Sequence, residues 1–573
     1  MTGNRQGPSV ATVGRGTSDL DLLPIAEEEI AAARRLRAAR HLSVDLTATV
    51  VGRLVERATS TPERVVAVEK DKTTTYLQLA VRTAVVRRAL AERGCGAGSV
   101  VAAFGPRSVE TIAIFLAVES LGGVYLPLDT AWPAARMAAV LGRSESDCVV
   151  EYLGQGGPGR ARDEIAQASA MAQVPVVSTS GPAFARPEPD PADALKEIDR
   201  ESCAGADEPR YLYFTSGTTG SPKGALIEHR GMVNHLWAKI VDLRLDADDT
   251  LAFTAPLVFD IAICQMMMPI LVGGRIAVVP DADVRSPRRL ATELNRHRVT
   301  VVELVPTLIG WLVTGIGQTG GGVPPLRCVI STGEELRPAL ARQVMRALPA
   351  ARLMNSFGFT ECSDDIAHHV VTEEDLLAER LPVGSVIINA SLYVLVAAGS
   401  SWRAATRGER GELFVGGVPV GRGYIGDAEA TRSAFFRDPF DSSSETGRLY
   451  RTGDLAVLQE NGVLYYLGRI GRQVKVSGIR VEPDEVEAVL SVHPDVEACA
   501  VTAVRVEGNT ELAAFVQTAG ATPLDEPGLR GYLRSRLPPA MVPGRWFQLD
   551  SMPLSGNGKI NHAALKESFG YVD

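Results

Sequence analysis

Between residues 275 and 358, the spacing of hydrophobic residues alternates between two patterns, one typical of strands and one typical of helices. Short apolar runs predict strands, and amphipathic segments predict the helices between them. The strand segments are "RIAVVP" (275–280), "VTVVELVP" (299–306), "LRCVIST" (326–332) and "ARLMNSFG" (351–358), and the helix segments are "SPRRLATELNRHR" and "EELRPALARQVMRAL". This alternation predicts a parallel sheet with helices on both faces, whose ligands bind beyond the carboxyl ends of the strands. Glu303, Thr332–Gly333–Glu334 and Asn355–Ser356–Phe357 are therefore expected to lie together.

The pattern outside this block extends the prediction to the rest of the chain. "VVAAFGPRSVETIAIFLAVESLGGVYLPLD" predicts a strand, a helix, a glycine turn and a second strand. Residues 154–199 are rich in Gly, Ala, Pro and Asp and predict a variable, partly mobile surface segment. Short strands with Gly and Asp turns predict a β-rich subdomain over residues 392–467, with "ENG" as a hairpin turn. A compact unit of two helices and two strands follows.

Together these elements predict an α/β protein with a large N-terminal domain of parallel αβ layers, a β-rich subdomain and a small C-terminal α+β domain. The predicted boundaries are 1–42 for an N-terminal extension, 43–468 for the large domain and 469–573 for the small domain. Residues 1 to about 24 are polar and predicted to be disordered. Residues 25–42 predict a helix that lies solvated on the body, acidic at its start and basic at its end.

Composition narrows the functional classes. At 573 residues the chain is too long for one core. A net charge of −9 argues against nucleic acid or an anionic membrane as the main partner. Seven scattered cysteines without a C-x-x-C pair indicate reduced thiols in a cytoplasmic protein rather than disulfides or a zinc site. No signal peptide and no run of membrane-spanning length is found in the sequence.

The segment "LYFTSGTTGSPKG", Leu212–Gly224, is the strongest local indication of chemistry. It opens as a buried strand and continues into hydroxyls and glycines that end on Pro-Lys-Gly. Hydroxyls, backbone N–H groups and one cation on a thin backbone favour a phosphate ligand. The alternative is a flexible Ser/Gly linker, which would need neither the strand nor the Pro-Lys-Gly ending. The segment is not a Walker P-loop, because no Gly-Lys pair is followed by Ser or Thr at the required spacing.

In its order of motifs the chain resembles the adenylate-forming (ANL) superfamily, and within it the stand-alone amino-acid adenylation domains of nonribosomal peptide synthesis. The resemblance runs from about Ser43 to the C-terminus. It rests on "YFTSGTTGSPKG", "FGFTE" (357–361), "YRTGDL" (450–455), "GRIGRQVKVSGIRVEPDEVE" (468–487), "LPPAMVP" (537–543) and "PLSGNGKI" (553–560). It implies an ATP-dependent, AMP-forming ligase that converts an amino acid to aminoacyl-AMP and pyrophosphate.

The resemblance also implies a role for each matching residue. The ATP-binding residues would be Thr215, Ser216, Gly217, Thr218, Thr219, Lys223, Gly333, Glu334, Phe357, Asp454 and Arg469. The catalytic residues would be Lys559, Thr360 and Glu361. Glu361 would also ligate Mg²⁺, a hard ion that prefers carboxylate oxygen. Lys559 would be carried to the α-phosphate by the small domain. Taken singly, Asp454 could be a turn residue and Lys559 a solvated tail lysine.

The resemblance further implies which residues bind the substrate. They would be Asp260, Ile261, Cys264, Glu303, Ile330, Thr332, Ser356, Asp364 and Asp365. Asp260 would hold the α-ammonium, although a buried or capping aspartate is the alternative. Two further carboxylates, Glu303 and Asp365, favour a basic or diamino side chain, because a buried unpaired carboxylate is costly. The alternative is a solvated "SDD" loop, with Glu303 paired to a pocket hydroxyl.

After a swing of the small domain, the resemblance implies transfer of the acyl group to the phosphopantetheine of a separate carrier protein. Gly471 stands where the family usually carries an Asp or Lys pivot, and glycine is compatible with a hinge. A small activating partner protein is a possible second partner; neither nucleic acid nor membrane is expected. No carrier or condensation module is found in the sequence, so a free-standing enzyme is expected. The alternatives are a ligase that transfers to coenzyme A and a non-catalytic binding protein with the same fold.

Overall fold

The computed structural model describes residues 19–154, 158–181, 184, 187–199, 205–215, 222–318, 322–506, 509–518, 523–553 and 560–569. Its first elements are α1 (Glu27–Leu36), β1 (Ala38–Arg40), α2 (Val50–Ser60), β2 (Val65–Glu69), β3 (Lys72–Thr75), α3 (Tyr76–Ala91), β4 (Val100–Phe104), α4 (Val109–Ser120), β5 (Val124–Leu128), α5 (Ala134–Arg143), β6 (Cys148–Glu151), α6 (Gly159–Ala172), β7 (Val176–Ser178), α7 (Pro191–Ile198), β8 (Pro209–Thr215), β9 (Lys223–Glu228) and α8 (His229–Leu243).

The chain continues with β10 (Thr250–Phe253), α9 (Ile261–Val272), β11 (Arg275–Val278), α10 (Asp281–Val284), α11 (Pro287–Arg296), β12 (Val301–Leu304), α12 (Pro306–Gln318), β13 (Cys328–Ser331), α13 (Pro338–Ala347), β14 (Arg352–Phe359), β15 (Asp364–Val370), β16 (Ser385–Val386), β17 (Ala390–Ala398), β18 (Ser401–Ala404), β19 (Arg410–Gly417), β20 (Gly423–Tyr424), α14 (Ala428–Ala434), β21 (Phe435–Arg437), β22 (Arg448–Leu458) and β23 (Leu464–Arg469). The last elements are β24 (Val474–Val476), β25 (Ile479–Val481), α15 (Pro483–Leu490), β26 (Val496–Val506), β27 (Asn509–Thr518), α16 (Glu526–Arg534), β28 (Arg545–Gln548) and α17 (His562–Ser568).

Two largely parallel sheets form the centre of the large domain. One has the strand order β16-β15-β14-β13-β12-β10-β11-β2-β3, and the other has the order β20-β9-β8-β5-β4-β6-β7. Strands β10 to β14 are parallel, as the alternation of strands and helices predicts. Apolar residues of α2, α3, α4, α8 and α9 join both sheets in one buried cluster. The predicted α/β fold is therefore confirmed.

An antiparallel sheet forms the β-rich part, with the order β1-β17-β19-β22-β21 and with β18 and β23 at its sides. The "ENG" turn joins β22 to β23, as predicted, and Gly462 takes a φ of +79° there. The small unit contains the hairpin β24–β25 and the sheet β26-β27-β28. Within the described ranges, no helix combines the length and the apolar character that a membrane span needs.

Two predictions about the N-terminal region are wrong. The helix predicted over 25–42 ends at Leu36, because the next residues form β1 and pair with the edge of β17, with Ala38 opposite Leu392. A strand edge offers unpaired backbone groups, which compete with continuation of the helix. Residues 19–24 are ordered rather than disordered, since Leu20 and Leu23 are buried against the β-rich part.

The segment 154–199 also differs from its prediction as a variable surface stretch. It contains α6, β7 and α7 in its described residues. Ile165 and Ile198 are 2% and 0% exposed, so the apolar faces of both helices contribute to the core. The alanine-rich composition is that of a helix packed closely on its neighbours, because small side chains allow close approach.

Candidate active site

Three strands of the first sheet end side by side at the predicted site. Glu303 on β12 is in register with Ile330 on β13, and Ser331 is in register with Asn355 on β14. Ile330 and Glu303 are buried, at 0% and 1% exposed. Thr332 follows β13 directly, and its backbone N–H donates to the Leu304 carbonyl at 3.2 Å. The structure therefore brings together strand ends that are far apart in sequence.

A bulge where β14 meets β15 adds three more of the predicted substrate-binding residues. Gly358 pairs with Asp365, and the neighbouring Asp364 pairs with Phe359. Glycine is required at 358, because a Cβ there would lie 1.7 Å from the Asp364 carbonyl oxygen. The Ser356 hydroxyl oxygen is buried and lacks a hydrogen-bond partner among the described residues. The bulge thus directs Ser356, Asp364 and Asp365 into the same polar region.

Asp260 begins α9, with Ile261 next to it and Cys264 one turn further on. Its Oδ1 accepts a hydrogen bond from the Ile261 N–H at 3.0 Å. Its Oδ2 is buried and has no hydrogen-bond partner in the described part of the chain. Burial and, secondly, the charge of Asp364 raise the pKa of Asp260 to about 7. The free oxygen is thus a strong acceptor for a buried cation.

Lys239 on α8 lies in the middle of the carboxylates. Its side chain is 0% exposed, and its Nζ lies 2.5 Å from Glu303 Oε1, 3.0 Å from Asp365 Oδ2 and 3.4 Å from Asp364 Oδ2. Burial alone would lower the pKa of Lys239, but the surrounding carboxylates hold it above its ordinary value. Burial raises the pKa of Glu303 to about 8, although Lys239 opposes the change. The predicted acidic pocket therefore contains its own cation.

Two histidines extend this network. His368 contacts Asp365 and Asp242 at 3.1 and 2.8 Å, and these hydrogen bonds outweigh burial and raise its pKa to about 9. His235 Nε2, Cys264 Sγ and Asp364 Oδ2 lie within 4.8 Å of one another. His235 Nδ1 accepts the Asp365 N–H, which leaves the ring proton on Nε2, facing Asp364. With the Lys239 ammonium also beside Asp364, this cluster fits a hydrogen-bonded network better than a metal site.

The predicted nucleotide-binding residues surround a second polar region. Asp454 on β22 pairs in register with Arg469 on β23, and Arg469 Nε lies 3.1 Å from Asp454 Oδ1. Burial raises the pKa of Asp454 against the charge of Arg469. The Phe357 ring packs on Tyr466 with their centroids 5.3 Å apart.

Gly333 and Glu334 follow Thr332 just beyond the end of β13. Gly333 has a φ of +80°, a conformation that suits glycine. Glu334 Oε2 accepts from the Thr307 hydroxyl at 3.1 Å at the start of α12, so its carboxylate contributes to that helix end. The backbone of both residues, rather than the Glu334 side chain, is what faces a ligand in the predicted role.

Glu361 is buried and bound on both oxygens. Arg480 Nη1 lies 2.8 and 3.0 Å from its two oxygens, and the Tyr424 hydroxyl donates to Oε1 at 2.6 Å. Burial disfavours the charged form, but Arg480 and Tyr424 hold the pKa of Glu361 below its usual value. Lys223 Nζ lies 5.6 Å from the Tyr424 ring centroid, which brings the end of the predicted phosphate loop near Glu361. Thr360 lies close enough to Asp260 to oppose the rise in its pKa, and so lies between the two polar regions.

Arg480 belongs to the hairpin β24–β25 of the small unit, which is docked on the large domain. A Cβ at Gly478, in the hairpin turn, would lie 2.7 Å from Val305 Cγ1. Arg136 on α5 and Glu485 on α15 form a buried ion pair at 2.5 Å across the same boundary. Burial lowers the pKa of Lys475 in the hairpin, and the nearby charges of Asp454 and Arg469 also act on it. The hairpin therefore lies over the part of the site between the carboxylates around Lys239 and the predicted nucleotide-binding residues.

Some predicted residues cannot be placed. Ser216, Gly217, Thr218 and Thr219 of the phosphate loop and the predicted catalytic Lys559 lie outside the described residues. Thr215 ends β8, and its hydroxyl reaches the Lys223 carbonyl at 3.5 Å. Gly471 lies between β23 and β24 with a φ of +100°, which favours glycine.

The family comparison matches both parts of the chain. Residues 54–425 match the model of AMP-binding enzymes, and residues 485–559 match the model of the AMP-binding enzyme C-terminal domain. The first match alone covers more than half of the chain. The chain belongs to the AMP-binding enzyme family. It is an ATP-dependent adenylating ligase, as its motifs predict.

Similar AMP-binding enzymes include parts of nonribosomal peptide synthetases. Gramicidin S synthase 2 from Aneurinibacillus migulanus is 30% identical over 526 residues, which are 91% of this chain and 11% of that protein. A dimodular nonribosomal peptide synthase from Bacillus subtilis (strain 168) is 31% identical over 89% of this chain and 20% of its own length. The chain thus spans a fifth or less of these relatives.

A solved structure of similar fold is a holo nonribosomal peptide synthetase protein with adenylation and PCP domains. It has a TM-score of 0.76 and 26% identity, and the match covers 91% of this chain and 85% of that one. An o-succinylbenzoate CoA synthetase from Bacillus subtilis shares the fold, with a TM-score of 0.74, 22% identity and coverage of 90% and 98%. The ANL-type architecture of this AMP-binding enzyme is therefore established.

Sequence reasoning missed several residues of the adenylating enzyme's site. Lys239 and His235 are one turn apart on α8 and share the buried face of that helix with Met232 and Leu236. Two ionisable residues on an apolar helix face could have been identified from the sequence as candidate site residues, because a buried charge needs a partner. Arg480 and Tyr424 carried no such signal, since their contacts depend on how distant segments pack.

Proposed function

We propose that this adenylating enzyme activates an amino acid with a basic or diamino side chain and then loads it on a carrier protein. The first half-reaction gives aminoacyl-AMP and pyrophosphate from the amino acid and ATP. The second transfers the acyl group to a phosphopantetheine thiol as a thioester. The similar structure with adenylation and PCP domains supports a carrier protein as acceptor.

The observation that carries the substrate proposal is a set of buried carboxylate oxygens without hydrogen-bond partners. In the cluster around Lys239 these are Asp260 Oδ2, Glu303 Oε2 and Asp365 Oδ1; elsewhere in the described residues, Asp438 Oδ2 and Asp454 Oδ1 share the property. Buried acceptors left without donors are costly, so their retention favours a ligand that brings N–H groups. One ammonium on Asp260 and a second on Glu303 and Asp365 would match an α-amino group and a side-chain amine.

The charge balance supports the same substrate class. The carboxylates of Glu303, Asp364 and Asp365 face the cations Lys239 and His368. Asp260 lies beside Asp364 and interacts with the charge of the buried Lys475. His368 is shared with Asp242, which also binds Arg40 at 2.7 Å. The described cluster therefore holds more carboxylates than cations, and burial, the main cause of the raised pKa values of Asp260 and Glu303, favours their protonated forms.

The remaining site residues fall into two groups: one is proposed to bind the adenosine part of ATP and the other its phosphates. We assign Asp454 and Arg469 to the ribose, Phe357 to the adenine face, and the backbone of Gly333 and Glu334 to the adenine edge. Thr215, Ser216, Gly217, Thr218, Thr219 and Lys223 would bind the phosphates, and Thr360 and Lys559 would contact the α-phosphate and the reacting carboxylate. Backbone N–H groups, hydroxyls and cations aimed at phosphorus oxygens stabilise the charge that develops there.

Mg²⁺ is the metal that the proposed chemistry implies, and Glu361 is the residue that would ligate it. The lowered pKa of Glu361 makes it an anion, and a hard carboxylate suits Mg²⁺. When bound, the ion would neutralise phosphate charge. Arg480 now engages both Glu361 oxygens, so binding of the ion there requires the hairpin to move away.

We also propose that the enzyme works in the cytoplasm with a carrier protein as its acceptor. Cys95, Cys148, Cys264, Cys328, Cys362 and Cys499 are free, which supports a reducing compartment. Transfer to coenzyme A is the second candidate, favoured by the fold shared with a CoA synthetase. Incubation of the preformed adenylate with holo-carrier protein or with coenzyme A would distinguish the two acceptors.

Pyrophosphate exchange with the twenty common amino acids and with basic non-protein amino acids tests the substrate. We expect the highest kcat/KM with a basic or diamino acid, and a loss of at least about 100-fold for the neutral analogue of equal length, because the polar site would then be left unpaired. A preference for leucine, valine or phenylalanine would refute the proposal.

Glu303→Gln is the matched variant, with Glu497→Gln on the exposed surface as its control. We expect Glu303→Gln to reduce the ratio of kcat/KM between ornithine and norleucine, its neutral analogue of equal length, whereas the control leaves it unchanged. The ratio does not depend on the fraction of folded enzyme. Equal ratios in the wild type and Glu303→Gln would show that Glu303 does not bind a side-chain amine.

A further inference from the structure

Lys239 is the fixed cation of the substrate pocket. Its Nζ contacts one oxygen of Glu303, one of Asp365 and, more distantly, one of Asp364. The side chain is 0% exposed, so these contacts take place out of water, where charge interactions are strong. Removal of one partner from such a group leaves an uncompensated buried charge. The ammonium is therefore held in one position.

The contacts of Lys239 divide each carboxylate into a used and an unused oxygen. Glu303 Oε1 and Asp365 Oδ2 bind the ammonium, whereas Glu303 Oε2 and Asp365 Oδ1 are buried without hydrogen-bond partners among the described residues. Lys239 thereby fixes the directions of the two free oxygens. It also occupies the space beside the two bound oxygens, so a second cation cannot approach them.

We propose that Lys239 is a specificity-determining residue that limits the length of the basic side chain the pocket accepts. Its ammonium occupies the place that the distal cation of a longer side chain, such as that of lysine or arginine, would take. The inference rests on the proposed function, because it assumes that Glu303 and Asp365 line the side-chain pocket. A shorter diamino acid can reach Glu303 Oε2 and Asp365 Oδ1 without approaching Lys239, whereas two buried cations at one position repel each other.

Two variants test this role from opposite directions. Lys239→Ala removes the cation and opens space, so we expect the kcat/KM ratio of lysine to the best shorter diamino acid to rise at least about tenfold. Lys239→Arg keeps the charge and extends further into the pocket, so the same ratio should fall. Lys196→Ala on the exposed face of α7 removes an equal charge far from the pocket and should leave the ratio unchanged.

The ratio separates specificity from stability, because loss of folded enzyme scales both kcat/KM values equally. Ratios in both variants equal to that of the wild type, whatever the change in Tm, would overturn the proposal. If Lys239→Ala does not fold, the direction of change in Lys239→Arg decides. A wild type that prefers a neutral amino acid refutes the proposed substrate class, but a rise of lysine relative to that amino acid in Lys239→Ala would still support the role of Lys239.

Discussion

At the scale of single residues, the site is distinguished by buried carboxylates whose protons are bound tightly. Burial raises the pKa of Asp260 to about 7 and that of Glu303 to about 8. A protonated carboxyl has no charge to pair with an ammonium, so binding of the proposed substrate would be coupled to proton release. The pocket is thus expected to respond to pH within the ordinary assay range.

We predict that the KM for the amino acid rises by at least about tenfold as the pH falls from 8 to 6, because Asp260 alone then becomes mostly protonated in the free enzyme and Glu303 adds to the effect. Pyrophosphate exchange at several pH values measures this change. In Glu303→Gln, the change in the KM for the amino acid around pH 8 should disappear, and the change around pH 7 should remain. The KM for ATP is the internal control, and parallel changes of both KM values would contradict the prediction.

His368 provides a prediction about stability. Its pKa is raised to about 9 by Asp242 and Asp365, so the charged ring stabilises the fold fully below its ordinary pKa near 6.5. This stabilisation, on the order of 1–3 kcal/mol, is lost as the pH rises through about 9. Urea unfolding from pH 6 to pH 10 should show a smaller decline for His368→Gln than for the wild type. The exposed His41→Gln is the control and should decline like the wild type.

At the scale of elements, sequence patterns predicted the parallel strands well and the edge strands poorly. The runs at 299–306 and 326–332 contain β12 and β13, because strands buried on both faces need continuous apolar residues. Strand β1 is three residues long, "AAR", and exists only because β17 offers it an edge. The alternation in "VKVSGIRV" is typical of a hairpin, but β24–β25 was not predicted from it.

The site likewise combines residues that were identified from the sequence with residues whose contacts depend on how the chain packs. The motifs of the resemblance singled out Glu303, Asp364 and Asp365, because those residues follow the strand ends and the "FGFTE" segment. Lys239 is 64 residues from Glu303 and 125 from Asp364 in sequence, so its contacts follow from packing of α8 on the sheet. A sequence pattern can indicate that a buried lysine needs partners, but not which carboxylates supply them.

The hairpin β24–β25 yields a prediction at this scale. Arg480 would compete with the proposed Mg²⁺ ion for Glu361, because it holds both carboxylate oxygens. Arg480→Gln should therefore lower the Mg²⁺ concentration needed for half-maximal pyrophosphate exchange several-fold, and it should slow thioester formation by weakening the docked hairpin. Arg545→Gln, whose partner Glu511 lies in the same small unit, is the control. An unchanged Mg²⁺ dependence in Arg480→Gln would show that the two cations do not share Glu361.

At the scale of the whole molecule, the small unit must take more than one position if the proposed cycle is correct. In the observed arrangement the hairpin covers the site, Gly478 packs on Val305, and Arg136 pairs with Glu485. Binding of a metal ion by Glu361 requires withdrawal of Arg480, whereas these contacts hold the hairpin in place. The connection between β23 and β24 is the segment in which such a rotation can occur, and Gly471 lies in it.

Gly471 has a φ of +100°, and no heavy atom lies within 4 Å of a Cβ added there, so packing does not explain a need for glycine. Proline fixes φ near −65°, so Gly471→Pro excludes the observed arrangement of the hairpin. We expect thioester formation to fall about tenfold more than pyrophosphate exchange, measured by carrier loading and isotope exchange. Gly399→Pro likewise replaces a glycine of positive φ, here +64°, by proline in the β-rich part and is the control for strain alone. Equal losses of both half-reactions in Gly471→Pro would show that the small unit does not pivot at this residue.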